Sequence, residues 1–260
     1  MDKGLQYKYE KGFIKERKEI SLNKVDYRKK AIVNALKKYC DLNKNKSVLD
    51  VGFGSTNGII TQEIAKNALK VVGIEIDEPE VKIANKLNEQ SNCFFYKGDG
   101  RYMQQFENES FDIVLCTRVI EHIPEKIELL FKEITRVLKK DGLAYIAVDN
   151  KFIPFEPHYR LLFLSWLPKK LADAYVKITR KGKSYEIKYL TYNQLNKYFK
   201  ENKLKPKDIT IDLIKNSKKL GYKSNKIIVN TAKILDLFPE SFKSFFSFIS
   251  PVWIIVLKKD

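Results

Sequence analysis

Between residues 47 and 148, short runs of β-branched and aliphatic residues alternate with stretches whose apolar positions recur every three or four residues. This alternation predicts βαβ units and a mostly parallel sheet. Strands are predicted at 47–51, 70–75, 93–97, 111–116 and 143–148, with helices at 59–67, 80–89 and 127–138 between them. Lys139 and Lys140, followed by Asp141 and Gly142, are expected to stop the last helix, with basic residues in its final turn and a glycine just beyond.

The flanking sequence has other periods. Residues 25–39 read as an amphipathic helix with Val25, Ile32, Leu36 and Tyr39 on or near one face, expected against the sheet edge. From 150 to 190 the pattern loosens, and Pro154, Pro157 and Pro168 fall among Phe152, Phe155, Tyr159, Phe163 and Trp166. That composition predicts an insertion rather than a further βα unit. Its stripe at 161–167 is of a kind that more often forms core than a ligand box. Thr191 and Gln194 form a capping box ahead of a helix to about 202. A sixth strand at 209–213, a helical insertion at 226–249 and a last strand at 252–257 complete an α/β, doubly wound sheet of seven strands. One elaborated domain over 1–260 is the economical reading: a helical region at 1–46, a core at 47–149, and insertions at 150–190 and 214–250 after the fifth and sixth strands.

An apolar fraction of 44% in 260 residues supports a sizeable core and excludes global disorder. Cys40, Cys93 and Cys116 are too far apart for a disulfide framework or a metal-site spacing, so no metal is expected and a reducing, cytoplasmic setting fits. Residues 1–19 are Lys-rich without an apolar centre, and no eighteen-residue apolar run occurs, so a soluble or peripheral protein is expected. The net charge of +17 suits nucleic acid, phosphorylated lipid or an anionic membrane surface. Its lysines are scattered, however, and compositional bias accounts for them as well as a binding surface does. Peripheral membrane contact stays open because LLFLSWLPKK (161–170) and FKSFFSFISPVW (242–253) join apolar residues to lysine.

The chemistry-bearing pattern begins at the end of the first strand, where Gly52, Gly54 and Gly58 follow Asp50. Glycines there let backbone approach a ligand closely. A dinucleotide site uses a similar turn, but the third glycine falls one position late here, and the Asp50 carboxylate would repel a pyrophosphate and suits a cationic ligand. Glu75, ending the second strand, can accept hydrogen bonds from ribose hydroxyls. Asp99 and Gly100 follow the third strand, so acidic groups from three strand ends converge on one crevice.

Together VLDVGFGSTNG (48–58), VVGIEID (71–77), GDG (98–100), FDIVLCTRVIEHI (111–123) and LKKDGLAYIAV (138–148) resemble a class I methyltransferase of the type-11 group, in order and spacing. The resemblance implies a Rossmann-like methyltransferase sheet and S-adenosylmethionine as cofactor. It implies Glu75 on the ribose hydroxyls, Asp99 on the adenine amino group, and Gly52 and Gly54 under the methionine portion, with Asp50 ordering that region. Gly58, Ile76, Gly100 and Thr117 complete the implied cofactor set. The family commonly has a glycine near Thr56, where this chain has Ser55, Thr56 and Asn57.

Methyl transfer needs alignment of nucleophile and methyl carbon, and a base only when the nucleophile carries a proton. Glu121 and His122, after the fourth strand, are the local candidates, with packing or loop ordering the leading reading of His122 and general base the other. His158, in PFEPHYR (154–160), is a third candidate, in a segment expected to act as a lid presenting Glu156, His158, Tyr159 or Arg160 to the acceptor. The favoured acceptor is a small molecule, a glycan or a lipid-linked precursor, methylated at oxygen. RNA or protein is the alternative, although Cys116, Thr117, Arg118 and Val119 stand where an Asn-Pro-Pro-Tyr-type tetrad would be expected. A non-catalytic cofactor-binding scaffold and, more remotely, a dehydrogenase are the readings from other classes.

Overall fold

A computed structural model of the protein describes residues 22–222, 225–235, 237–239 and 250–259. The core strands form where predicted: β1 (Ser47–Val51), β2 (Lys70–Glu75), β3 (Cys93–Lys97), β4 (Phe111–Thr117) and β5 (Leu138–Asp149). β6 (Phe155–Glu156) and β7 (Leu161–Leu162) make a separate hairpin, while β8 (Leu204–Asp208) and β9 (Val252–Lys259) join the main sheet. The helices are α1 (Leu22–Cys40), α2 (Ile59–Ala65), α3 (Glu78–Lys86), α4 (Ile127–Val137), α5 (Lys169–Ile178), α6 (Tyr192–Glu201), α7 (Thr210–Lys215), α8 (Ser217–Leu220) and α9 (Lys226–Leu235).

The seven-stranded sheet runs β3-β2-β1-β4-β5-β9-β8, with β9 antiparallel to both neighbours and the other pairs parallel. This is the doubly wound α/β fold. Strand order reverses between β1 and β4, and a crevice opens outside the carboxyl ends of strands at such a point.

Alternate side chains of a strand point to opposite faces, and the core divides accordingly. Val48, Ile113, Leu115 and Tyr145 share one buried layer with Leu36 of α1, Ile64 of α2 and Ala84 of α3. Leu49, Val114, Cys116 and Ile146 share the other with Phe131 and Ile134 of α4 and Phe199 of α6. The α6 capping box forms as read: the Gln194 N–H donates to Thr191 Oγ1 at 3.3 Å, and the Thr191 N–H donates to Gln194 Oε1 at 2.8 Å.

Three sequence expectations change. The sixth sheet strand is Leu204–Asp208, and residues 209–213 instead lead into α7. Ile209 and Leu213, four apart, are the buried pair, so helical spacing overrides the alternation of isoleucines, while Pro206 is tolerated because β8 is an edge strand. α4 ends at Val137, and Leu138 is already extended. The lysines and Gly142 therefore lie in a register shift of β5, where Asp141 has φ +64°. α1 packs on a face of the sheet, against α2 and α8, rather than at its edge. The 150–190 insertion is a hairpin followed by a turn of 3-10 helix and α5, closed over its own small core of Leu161, Leu164, Ala172, Val176, Tyr185, Ile187 and Tyr189. The second insertion contains α7, α8 and α9, and its predicted part at 240–249 lies outside the described residues, as does the start of 25–39 at the level of side chains.

Trp253 of β9 is fully buried and meets Tyr192 at 5.4 Å between ring centroids. Trp253→Ala is expected to cost about 3–5 kcal/mol, read as a lower urea midpoint at unchanged slope.

Candidate active site

The turn after β1 is built on backbone that most side chains would forbid. Gly52 has φ +71° and donates its N–H to Ile74 O at 2.8 Å, and a Cβ there would lie 2.4 Å from Val119 Cγ2. Gly58 also has φ +71°, and a Cβ would meet the Phe95 ring at 2.5 Å. Both positions need glycine for its left-handed freedom and for lack of space. Where the family commonly has another glycine, Thr56 turns its hydroxyl inward, donating to Phe53 O at 2.9 Å.

Asp50 lies beneath this turn, not on its surface. It is buried and accepts a 2.6 Å hydrogen bond from the hydroxyl of Thr61, itself buried on α2. Burial raises the Asp50 carboxyl to about 7, with the Thr61 bond opposing and nearby Glu75 adding to the rise. Its place in the structure is that of a strut between β1 and α2.

Glu75, by contrast, is at the surface of the crevice. Its Oε2 accepts from the Gly54 N–H at 2.9 Å, and its Oε1 accepts from the N–H groups of Ile76 at 2.8 Å and Asp77 at 3.1 Å. Burial raises its pKa and these backbone donors oppose the rise. Ile76 beside it is exposed. Asp99, after β3, is clamped by Arg101, whose Nη2 lies 2.7 Å from Oδ2 and whose backbone N–H donates to Oδ1 at 2.9 Å. Gly100 packs against Val51 and Leu130. Glu75 and Asp99 thus occupy neighbouring strand ends, while Asp50 sits behind them.

At the ends of β4 and β5 a second group of polar residues gathers. Half-buried Thr117 closes β4 opposite Ala147. Next to it, Arg118 adopts φ +56° and its Nη1 donates to Asp149 Oδ2 at 3.0 Å. Glu121 is 0% exposed, and among the described residues neither carboxyl oxygen has a hydrogen bond of good geometry. Burial pushes it up to about 8, the charge of Asp149 adds to the rise, and its own backbone and Arg118 only partly offset it. His122 and His158, 36 residues apart in the chain, meet edge to face with ring centroids 5.0 Å apart. Burial lowers the His158 pKa below its ordinary 6.5, against the opposing charges of Glu156 and Asp149.

The rest of the expected lid does something different. Glu156 is buried and accepts from the Tyr189 hydroxyl at 2.7 Å and from the Tyr159 N–H at 2.5 Å, while the Tyr159 hydroxyl donates to Ser184 O at 3.0 Å. Glu156 and Tyr159 therefore hold the insertion together, Arg160 points to solvent, and of the four only half-buried His158 faces the strand ends. A surface concavity of about 500 Å³ beside Asn108, Glu109 and Lys259 is at the opposite, amino end of β4.

Residues 49–146 match the family model of a methyltransferase domain. Over that segment the chain is a methyltransferase domain. A ubiquinone biosynthesis O-methyltransferase of Pelagibacter ubique is 29% identical to this chain over 130 residues, 48% of the chain and 52% of that protein. The chain thus spans about half the length of the curated relatives it matches. Among solved structures, an S-adenosylmethionine-dependent methyltransferase of Mesorhizobium loti is similar at TM-score 0.60 and 10% identity, over 88% of this chain and 98% of that one. YcgJ of Bacillus subtilis is similar at TM-score 0.55 and 17% identity, over 87% and 97% respectively. At such identities these structures establish the fold of the methyltransferase domain.

Sequence reading passed over Thr61, Arg101 and Asp149. Asp149 had a usable signal, being acidic at the carboxyl end of a parallel strand, and Arg101 stands two residues from Asp99. Thr61 had none, because an interior hydroxyl looks like any first-turn threonine.

Glu121 has a raised folded pKa, so its protonated form stabilises the fold at low pH and that stability is lost as pH rises from the ordinary 4.5 through about 8. Its contribution approaches ~1.4 kcal/mol per pH unit in that window. Glu121→Gln should flatten the fall of the thermal midpoint with pH there, leaving the slope due to the other raised carboxyls, Asp50, Glu75 and Asp149; an unaltered slope would mean that Glu121 titrates normally.

Proposed function

We propose that this chain binds S-adenosylmethionine across the ends of β1, β2 and β3 and transfers its methyl group to the hydroxyl oxygen of a small-molecule, glycan or lipid-linked acceptor. The observation that carries the reading is the match of residues 49–146 to the methyltransferase model on a sheet whose order reverses at β1 and β4. The residues present fit the cofactor. Glu75 offers a carboxylate to the ribose hydroxyls, with acceptor capacity left at Oε2, which takes one backbone donor, while Oε1 already accepts two. Exposed Ile76 offers an apolar edge to the base, and Asp99, held by Arg101, an acceptor for an amino group. Gly52, Gly54 and Gly58 supply the backbone floor, Gly100 and Thr117 flank it, and Asp50 fixes it from below through Thr61.

When bound, S-adenosylmethionine would supply a sulfonium methyl carbon to which an acceptor oxygen bonds as the carbon–sulfur bond breaks, the sulfur leaving as a neutral thioether. The chain's own part is to orient that oxygen, exclude water and receive its proton. His158 takes the proton on its imidazole: burial keeps the ring neutral at physiological pH, and the nearby carboxylates of Glu156 and Asp149 stabilise it once charged. His122 orients the ring through their edge-to-face contact. Glu121, held protonated by its burial, keeps a further negative charge away from the acceptor. The O-methyltransferase named among the relatives supports oxygen as the nucleophile.

The test is transfer of labelled methyl from S-adenosylmethionine to a panel of phenolic and aliphatic hydroxyl acceptors. His158→Ala is expected to lower kcat by about 100-fold or more with cofactor affinity unchanged. The wild-type acid limb of kcat should lie below pH 6.5, following the lowered His158 pKa, and vanish in the variant. Equal turnover in the two proteins would remove His158 from the reaction.

A further inference from the structure

The 150–190 insertion buries one side of its hairpin and helix in its own core and leaves large apolar side chains on the other. Phe155 and Leu162 are direct cross-strand partners on β6 and β7, and they are 49% and 55% exposed. Phe163 and Trp166, both 47% exposed, follow at once and stack edge to face at 4.9 Å. The outward placement is built. Phe163 takes a left-handed φ of +56° that bulky residues avoid, its N–H donates to Pro154 O at 2.7 Å, and the Trp166 Nε1 donates to Ile153 O at 3.2 Å. α5 continues the surface. Ala172 and Val176 are buried, while Leu171 and Ile178, a helical repeat apart, are exposed.

Charge surrounds this apolar face. Residues 151–190 carry nine basic against three acidic residues, and of the acidic ones Glu156 is buried and Asp173 is paired with Lys169 at 2.6 Å. Lys170, Lys177, Arg180, Lys181 and Lys183 are exposed on or just beyond α5. Self-association through such a face would set like charges against each other. Single-stranded nucleic acid stacks on aromatic rings and has no use for exposed Leu162, Leu171 and Ile178. An interfacial bilayer surface takes both: aliphatic and aromatic groups enter the headgroup boundary and lysines meet anionic lipid.

We propose that this face of the insertion docks the protein on an anionic lipid bilayer, with Phe155, Leu162, Phe163, Trp166, Leu171 and Ile178 entering the interface. Attachment is peripheral, since among the described residues no helix is long and apolar enough to cross a membrane. The same segment carries His158 toward the strand ends, so the docked crevice would lie close to the lipid surface. The proposal stands independently of the methyl-transfer reading.

The full chain is sedimented with vesicles of phosphatidylcholine alone and of phosphatidylcholine mixed with phosphatidylglycerol. Binding to the mixed vesicles is expected, falling with salt, and reduced about tenfold or more by Phe163→Ser with Trp166→Ser and by Lys170→Glu with Lys177→Glu. Trp166 fluorescence should shift to the blue on vesicles, while fully buried Trp253 reports that each variant is folded. Calorimetric titration with S-adenosylmethionine, run on the same variants, is expected to be unchanged, which separates loss of docking from loss of the cofactor site. No binding to mixed vesicles, binding that survives both double substitutions, or a concentration-dependent dimer abolished by them would overturn the proposal.

Discussion

The Glu75 carboxylate accepts hydrogen bonds from Gly54 in the loop after β1 and from Ile76 and Asp77 in the loop after β2. One side chain thereby fixes the spacing of two loops at the point where the strand order reverses. That spacing depends on Gly52 and Gly58, whose left-handed backbone brings the turn against Val119 and Phe95, and on Asp50, which anchors the start of α2 through Thr61. Charge at Glu75 is sustained by backbone dipoles that cost no reorganisation when a ligand arrives. Remove the carboxylate and the loops lose their tie and, on the proposed reading, the group that meets the ribose.

The other half of the crevice obeys the opposite logic. Glu121 and Asp149 are buried at the ends of β4 and β5 with little to pair them, so burial raises both pKa values, and even the Arg118 ion pair does not reverse the rise at Asp149. A buried carboxyl without a hydrogen-bond partner, as at Glu121, is retained at a cost in stability, which is typical of sites where chemistry matters more than packing. The insertion delivers His158 into this group while closing its own core through Glu156, Tyr159 and Tyr189. One short segment therefore both seals itself and brings His158 against His122.

The core was legible because its signals are local. Each of β1, β2 and β3 occupies the predicted span, since a short β-branched or aromatic run set between helical patterns has few alternatives. The capping box of Thr191 was equally plain. Residues 209–213 were misread because Ile209, Ile211 and Leu213 satisfy both a two-residue and a four-residue period, and only the tertiary burial of Ile209 with Leu213 decides between them. In the site, glycines and strand-end acids announced themselves, whereas the clamp of Arg101 on Asp99 and the meeting of His122 with His158 depend on side-chain direction and on the folded path of the insertion. Such long-range contacts leave no periodic trace.

The most direct measurement of the central claim is calorimetric titration of S-adenosylmethionine and its demethylated product into the wild-type chain and into Glu75→Ala. Saturable binding of both ligands to the wild type, weakened about tenfold or more in the variant, is the result this account predicts. Absence of binding to the wild type, or equal affinity in the two proteins, would contradict it.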